Sequence, residues 1–317
     1  MKAIKEVIKR AVIAAQAKKY PIDSRWCPEA SDSAVDSYWS EHTVNSEPFG
    51  NASASTQYLE WRFSVYPLFR EFSRLYQEHD NQTILDYGCG PGNDVIGFLI
   101  FTRASKIFGM DVSEKALKLT QKRLAVHRVD PVRISLTKIS DSLPEIPLDD
   151  GSVDHINCQG VLMSTSHPDL ILKEFYRVLK PHGTACIMVY NCDSLWLHLY
   201  TAYEKMIVQG AFAGLTVCEA FSKNTDGEDC PISICYKWQD FTEMCQLVGF
   251  NNVEYSGGYL SETELRSLYN YGQKALDDER LGSEHKDFLR SLIFDSRGLP
   301  MYKGKHAGIG GVYHLRK

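Results

Sequence analysis

Between residues 83 and 190 the chain returns five times to short apolar, β-prone runs separated by polar or helix-patterned stretches. The runs predict strands near 83–86, 106–111, 132–136, 153–159 and 184–190. Helical spacing lies between them: Val95, Ile96, Phe98 and Leu99; then Ala116, Leu117, Thr120 and Leu124 behind a Ser113 cap; then Leu170, Ile171, Phe175 and Val178 after Pro168. Strands so far apart cannot form hairpins. Right-handed crossovers then give a parallel sheet with helices on both faces. A helical stretch at 240–248, a strand near 250–255 and a last apolar run at 311–315 complete the expectation. The fold class is α/β, a doubly wound, mostly parallel seven-stranded sheet.

The flanks carry other patterns. Residues 2–19 predict a basic amphipathic helix with an alanine-rich apolar side, suited to packing on the domain or on a second copy in a homodimer rather than to lying on a membrane. Residues 20–57 look like a long loop, with a helix resuming at Thr56 and another from Pro67 through Tyr76. The expected organisation is an N-terminal helical lid over 1–80, a core over 81–255 with a cap insertion at about 191–239, and a helical insertion plus final strand over 256–317. The glycine-rich run 304–311 lacks the spacing of a phosphate loop and predicts close backbone packing.

The chemistry concentrates at 83–99. Asp86 ends the first strand, and Gly88, Gly90 and Gly92 follow at alternate positions before a helix. Strand, glycine turn and helix form a nucleotide-binding unit. A dinucleotide loop needs a third glycine where Asn93 stands, and Asp86 would repel a pyrophosphate. A ligand with an ammonium group suits that acid better. Nineteen residues beyond Gly92, Asp111 closes the second strand at the offset expected of a ribose-binding carboxylate, with Val112 beside it.

This stretch resembles the first motif of the class I S-adenosylmethionine (SAM)-dependent methyltransferases, and the ending Arg177-Val-Leu-Lys-Pro-His-Gly183 resembles that family's link into strand five. The resemblance implies SAM as cofactor. It assigns Asp86, Gly88, Gly90 and Gly92 to the methionine end, Asp111 and Val112 to the ribose, and Asp141 to the adenine amino group, with Ser140 and Ser142 as alternatives. Cys158 and Gln159 fall at the end of strand four, where open α/β sheets bind ligands. By the same resemblance the segment before strand one covers the pocket, which brings in Tyr58, Trp61 and Arg62, the last as partner of the methionine carboxylate. The family often places paired histidines after Gly160-Val-Leu; here Met163 and Ser164 stand there.

Composition narrows the class. A net charge of −5 argues against a general nucleic-acid binder. Nine scattered cysteines without a C-x-x-C pair argue for a reducing, cytoplasmic setting and against zinc. No apolar run is long enough to span a bilayer, and no carboxylate cluster suggests a metal. The expected reaction is methyl transfer from SAM to a small-molecule acceptor, polar or sugar-like, at oxygen by preference. The alternatives are S- or N-methylation of an amino-acid-like molecule, or a SAM-binding scaffold without catalysis. Tyr190, Asn191, Asp226 and Tyr302 are the expected acceptor-lining residues. His42, His198 and His306 are the candidate catalytic bases, with Asp226 and Glu228 beside them.

Overall fold

The computed structural model describes residues 32–44 and 47–317. The basic helix expected at 2–19 lies outside them. In the segment expected to be loop, two helices form: α1 (Asp32–Glu41) and α2 (Ala52–Val65). The side chain of Asn51 caps α2 by accepting from the Ala54 amide at 2.9 Å, so that helix starts four residues before the Thr56 predicted from its apolar spacing. The next helix, α3, is only Phe69–Ser73 and starts after Leu68, not at Pro67.

The core follows as β1 (Thr83–Tyr87), α4 (Asn93–Phe101), β2 (Lys106–Asp111), α5 (Glu114–Val126), β3 (Ile134–Lys138), β4 (Val153–Gln159), α6 (Pro168–Val178) and β5 (Leu179–Asn191). Strand β3 starts two residues later than expected, because Asp130 caps a short turn over Pro131–Arg133. Strand β5 is longer than expected and takes over directly where α6 stops.

The rest of the chain contributes a 13-residue π-helix (Trp196–Val208), α7 (Val217–Thr225), β6 (Cys235–Tyr236), α8 (Trp238–Leu247), β7 (Asn252–Tyr259), α9 (Glu262–Asp277) and α10 (Ser283–Arg290). The final elements are β8 (Ile293–Phe294), β9 (Pro300–Tyr302), β10 (Lys305–His306) and β11 (Gly310–Arg316). Strands β8–β10 form a small antiparallel sheet where the sequence suggested the end of a helix and a glycine-rich link.

The main sheet runs β3-β2-β1-β4-β5-β11-β7, parallel from β3 to β5. The two-residue β6 adds to β5 as an eighth strand, and β11 lies antiparallel to both its neighbours. The interior is apolar on both faces of the sheet, with Ile84, Leu85, Phe98, Ile107 and Phe175 on one half and Phe241, Phe250 and Tyr313 on the other fully buried. The glycine run is a packing device: a Cβ on Gly308 would lie 2.0 Å from the Tyr259 carbonyl oxygen. The π-helix packs with α7, α9 and α10 as a helical layer beside the sheet. Among the described residues no helix is long and apolar enough to cross a membrane.

Candidate active site

At the C-terminal tips of β1, β2 and β4 lies a cleft of about 310 Å³, the position at which doubly wound sheets bind ligands. Its floor is the glycine turn. Gly88, Gly90 and Gly92 all take positive φ, 72°, 52° and 80°, which a side chain would strain. Gly92 is wedged on Thr120, where a Cβ would sit 2.6 Å from Cγ2, and the Thr120 hydroxyl donates to the Gly90 carbonyl at 2.9 Å. Gly90 itself faces open space, so a ligand can approach its backbone.

Two carboxylates grip this floor. Asp111 accepts from the Gly90 amide through Oδ2 and from the Ser113 amide through Oδ1, each at 2.8 Å. Burial pushes its carboxyl up, and these two amides pull it back. Each oxygen keeps a lone pair for a ligand hydroxyl. Asp86 is almost fully buried. Its Oδ1 accepts from Asn157 Nδ2 at 2.8 Å, while its Oδ2 has no partner. Burial, and then the charge of Asp94, raise the Asp86 carboxyl well above its ordinary range.

Asp94 was not foreseen as a site residue. It ties the lid helix to the core by accepting from Arg62, from the Tyr76 hydroxyl at 2.7 Å and from Asn157 at 3.2 Å. Arg62 lines the cleft, as expected of it, with its Nε buried and without a partner.

The roof is α1, which the sequence reading took for loop. It supplies Val35 and Trp39, and Thr43 and Val44 follow it. Asp36 fastens it down by accepting from the Asp141 amide at 2.9 Å. Asp141, at the adenine side of the expected pocket, lines the cleft and accepts from the Ser166 amide at 2.9 Å; burial raises its carboxyl. Ile139 lies beside it.

Tyr190 and Asp226 also line the cleft, with Gln159, Ser164 and Thr165. Asp226 accepts from the Tyr190 hydroxyl at 2.7 Å and from the Ser233 hydroxyl at 2.6 Å, and the Tyr38 hydroxyl of α1 donates to its backbone carbonyl. Burial raises the Asp226 carboxyl, and the donating hydroxyls of Ser233 and Tyr190 lower it. Gln159 anchors its amide on Asn157 Oδ1 at 3.1 Å, leaving Oε1 buried without a partner.

Other predicted residues stand elsewhere. His198 lies in a separate cavity of the helical layer, stacked on Phe288 at 4.1 Å, with Nδ1 2.9 Å from His285 Nδ1. Tyr302 lines that same cavity. His306 contacts Asp295 at 3.1 Å in the small sheet. His42 stacks on Tyr38 at 4.1 Å without lining the cleft. None of the three histidines is placed as a base there. The segments of His198 and His306 lie in the helical layer and the small sheet, and His42, although on the segment that roofs the cleft, turns its ring onto Tyr38.

Tyr58 packs at a tilt against Trp61 on α2, and Trp61 is 51% exposed; neither lines the cleft. Cys158 is buried under the sheet tip, Asn191 holds the Gly308 carbonyl at 3.0 Å, and Ser142 bonds Ser140 at 2.8 Å; none lines the cleft. Glu228 is exposed. Among the described residues no group of His, Cys, Asp and Glu is arranged to hold a metal.

The residues fit the ligand that the sequence suggested. The unpartnered Asp86 Oδ2 matches an ammonium, Asp111 a pair of ribose hydroxyls, and the open face of Gly90 a closely approaching chain.

Comparison with known proteins places this geometry. Residues 78–249, more than half of the chain, match a family model described as a methyltransferase domain. A methyltransferase of Schizosaccharomyces pombe is 29% identical over 109 residues, 32% of this chain and 38% of that protein. A demethylmenaquinone methyltransferase of Symbiobacterium thermophilum is 24% identical over 157 residues, 49% of this chain and 59% of that one. The chain thus spans about half the length of these curated relatives. Among solved structures, the phosphoethanolamine N-methyltransferase 2 of Haemonchus contortus, in complex with phosphomonomethylethanolamine and S-adenosylhomocysteine, superposes with a TM-score of 0.53 at 15% identity, covering 89% of this chain and 60% of that one. That likeness is one of fold.

Proposed function

Because this chain belongs to the class I SAM-dependent methyltransferase family, we propose that it transfers the methyl group of SAM to a small polar acceptor at the Tyr190–Asp226 end of the cleft. Bound SAM supplies a methyl group on a sulfonium, whose neutral thioether is a ready leaving group. The protein's part is to hold both partners in line and keep water out. Asp86 Oδ2 takes the ammonium of the methionine moiety. Arg62, its other edge held by Asp94, faces the carboxylate of that moiety. Asp111 accepts from the ribose hydroxyls, and Asp141 with Ile139 frames the base. Helix α1 roofs the cleft through Val35 and Trp39.

Asp226 is the proton acceptor in this reading. Burial makes its carboxylate more basic than a surface one, which suits a group that takes a proton from an O–H or N–H as the methyl bond forms. The carrying observation is this recessed carboxylate, joined to Tyr190 and Ser233, in the wall of the cleft. The sequence alone favoured oxygen as the methylated atom. A nitrogen acceptor is favoured by a further feature of Asp226, developed below.

The test is isothermal titration with SAM followed by a tritiated-methyl screen against metabolite pools. SAM is expected to bind, and label is expected to appear in a small product. Asp226→Asn should lower kcat by about 10²–10⁴-fold while SAM affinity holds. SAM binding without transfer to any pool would instead support a non-catalytic SAM-binding scaffold.

A further inference from the structure

We infer that the methyl acceptor is an amine that enters as its ammonium, pairs with Asp226, and carries no carboxylate or phosphate. The inference deepens the reading above and rests on it for the identity of the acceptor end. It starts from the charges that face the cleft. Among the described residues five carboxylates line it, Asp86, Asp94, Asp111, Asp141 and Asp226, against a single guanidinium, that of Arg62. Arg62 is already committed to Asp94. Asp86 faces the donor's ammonium in the proposed pose. Asp111 and Asp141 are held by backbone amides and are assigned to neutral parts of the donor.

That leaves Asp226. Its carboxylate oxygens receive hydroxyls from Tyr190 and Ser233. Hydroxyls orient and solvate a carboxylate but bring no charge. Lys223, three residues away, donates instead to the Glu228 carbonyl at 2.9 Å. No described ion pair includes Asp226. A recessed carboxylate without a counter-ion is a costly arrangement that a bound cation relieves. An anionic acceptor would meet like charge at Asp226 and no free cation along the wall, where Gln159 offers the bare acceptor Oε1.

The chemistry balances with an amine. The ammonium gives one proton to the Asp226 carboxylate, and the freed nitrogen lone pair forms the new N–CH₃ bond. The C–S bond breaks with its electron pair going to sulfur, and Asp226 later returns its proton to solvent. The products are a methylated ammonium, the neutral thioether and one proton.

Two experiments decide it. In the first, the full chain is incubated with methyl-tritiated SAM and a metabolite extract, unreacted SAM is removed by chromatography, and the small labelled products are passed over cation and anion exchangers at pH 7. Label held by the cation exchanger is expected; label held by the anion exchanger, or running through both, overturns the inference. No label at all would defeat the proposed catalysis, and the second experiment then decides the charge question alone. It uses two matched small probes, ethanolamine and glycolate, against the protein saturated with S-adenosylhomocysteine, read by saturation-transfer NMR. Ethanolamine is expected to give a saturable signal that weakens at least tenfold in Asp226→Asn, with S-adenosylhomocysteine affinity unchanged as the control for folding. Glycolate is expected to give none. A missing ethanolamine signal, a glycolate signal of equal strength, or indifference to Asp226→Asn overturns it.

Discussion

The two ends of the cleft are built on different principles. The donor end is drawn from one short stretch and its nearest strand: Asp86, the glycine turn and Asp94 within nine residues, joined to Asp111 through the Gly90 amide. Backbone amides fix Asp111 to the turn there, while Asn157, Arg62 and Tyr76 hold Asp86 and Asp94. The acceptor end is assembled from distant pieces, with Tyr38 on the roof helix, Tyr190 on β5, and Asp226 and Ser233 in the insertion after it. Side-chain hydroxyls do the holding. A site held by backbone tolerates little change in the turn that forms it. A site held by side chains can be re-specified by exchanging a few of them while the sheet stays intact.

That contrast can be broken at either end. The largest effect is expected from Asp94→Ala. It leaves the Arg62 guanidinium buried without its partner, which costs about 3–5 kcal/mol; chemical denaturation of the wild type and the variant measures it, and a loss below about 1 kcal/mol would show that Arg62 simply swings to solvent.

Next is Asp111→Ala, which removes the proposed ribose acceptor and two amide holds on the turn. SAM affinity should fall by about 1–3 kcal/mol in calorimetry, and unchanged affinity would remove Asp111 from the donor site.

The third concerns pH. Burial and Asp94 raise the Asp86 carboxyl, with Asn157 and Arg62 opposing. A raised carboxyl holds its proton at mildly acidic pH in the free protein, and the ammonium of SAM favours the ionised form. Affinity should therefore increase with pH, by at most about tenfold per unit, and level off above the raised value. Binding should release protons, seen as calorimetric heats that depend on the buffer's ionisation enthalpy. Heats independent of buffer would mean that Asp86 is already ionised in the free protein.

The smallest is Tyr190→Phe, which takes one hydroxyl from Asp226. It should cost about 1 kcal/mol, a severalfold fall in kcat, with SAM affinity unchanged. A fall in SAM affinity of the same size would mean that the two ends do not act separately.

The same contrast explains what could be read from the chain alone. The parallel sheet, the glycine turn, Asp86 and Asp111 are local in sequence, and the tips of β1 and β2 announce themselves by an acid. Asp141 and Gln159 were also within reach, because strand ends face the cleft. Helix α1 escaped notice although Val35, Tyr38 and Trp39 carry helical spacing, because the Asp and Ser around them favour caps and turns. Asp94 and Asn157 looked like a helix start and a strand residue; only the fold turns both toward Asp86. For the histidines the obstacle was topology. His198 and His306 belong to insertions whose direction of return no spacing rule fixes, and they end in the helical layer and the small sheet.

Strand β11 has one more consequence. Residues 310–316 lie between β5 and β7, so the wall that carries Tyr190 gains its second full-length partner only from a segment more than a hundred positions downstream. During synthesis on the ribosome, β5 therefore emerges with an open edge that stays unpaired until Gly310–Arg316 has cleared the exit tunnel. A nascent chain stalled before that point would present a sticky flank to chaperones.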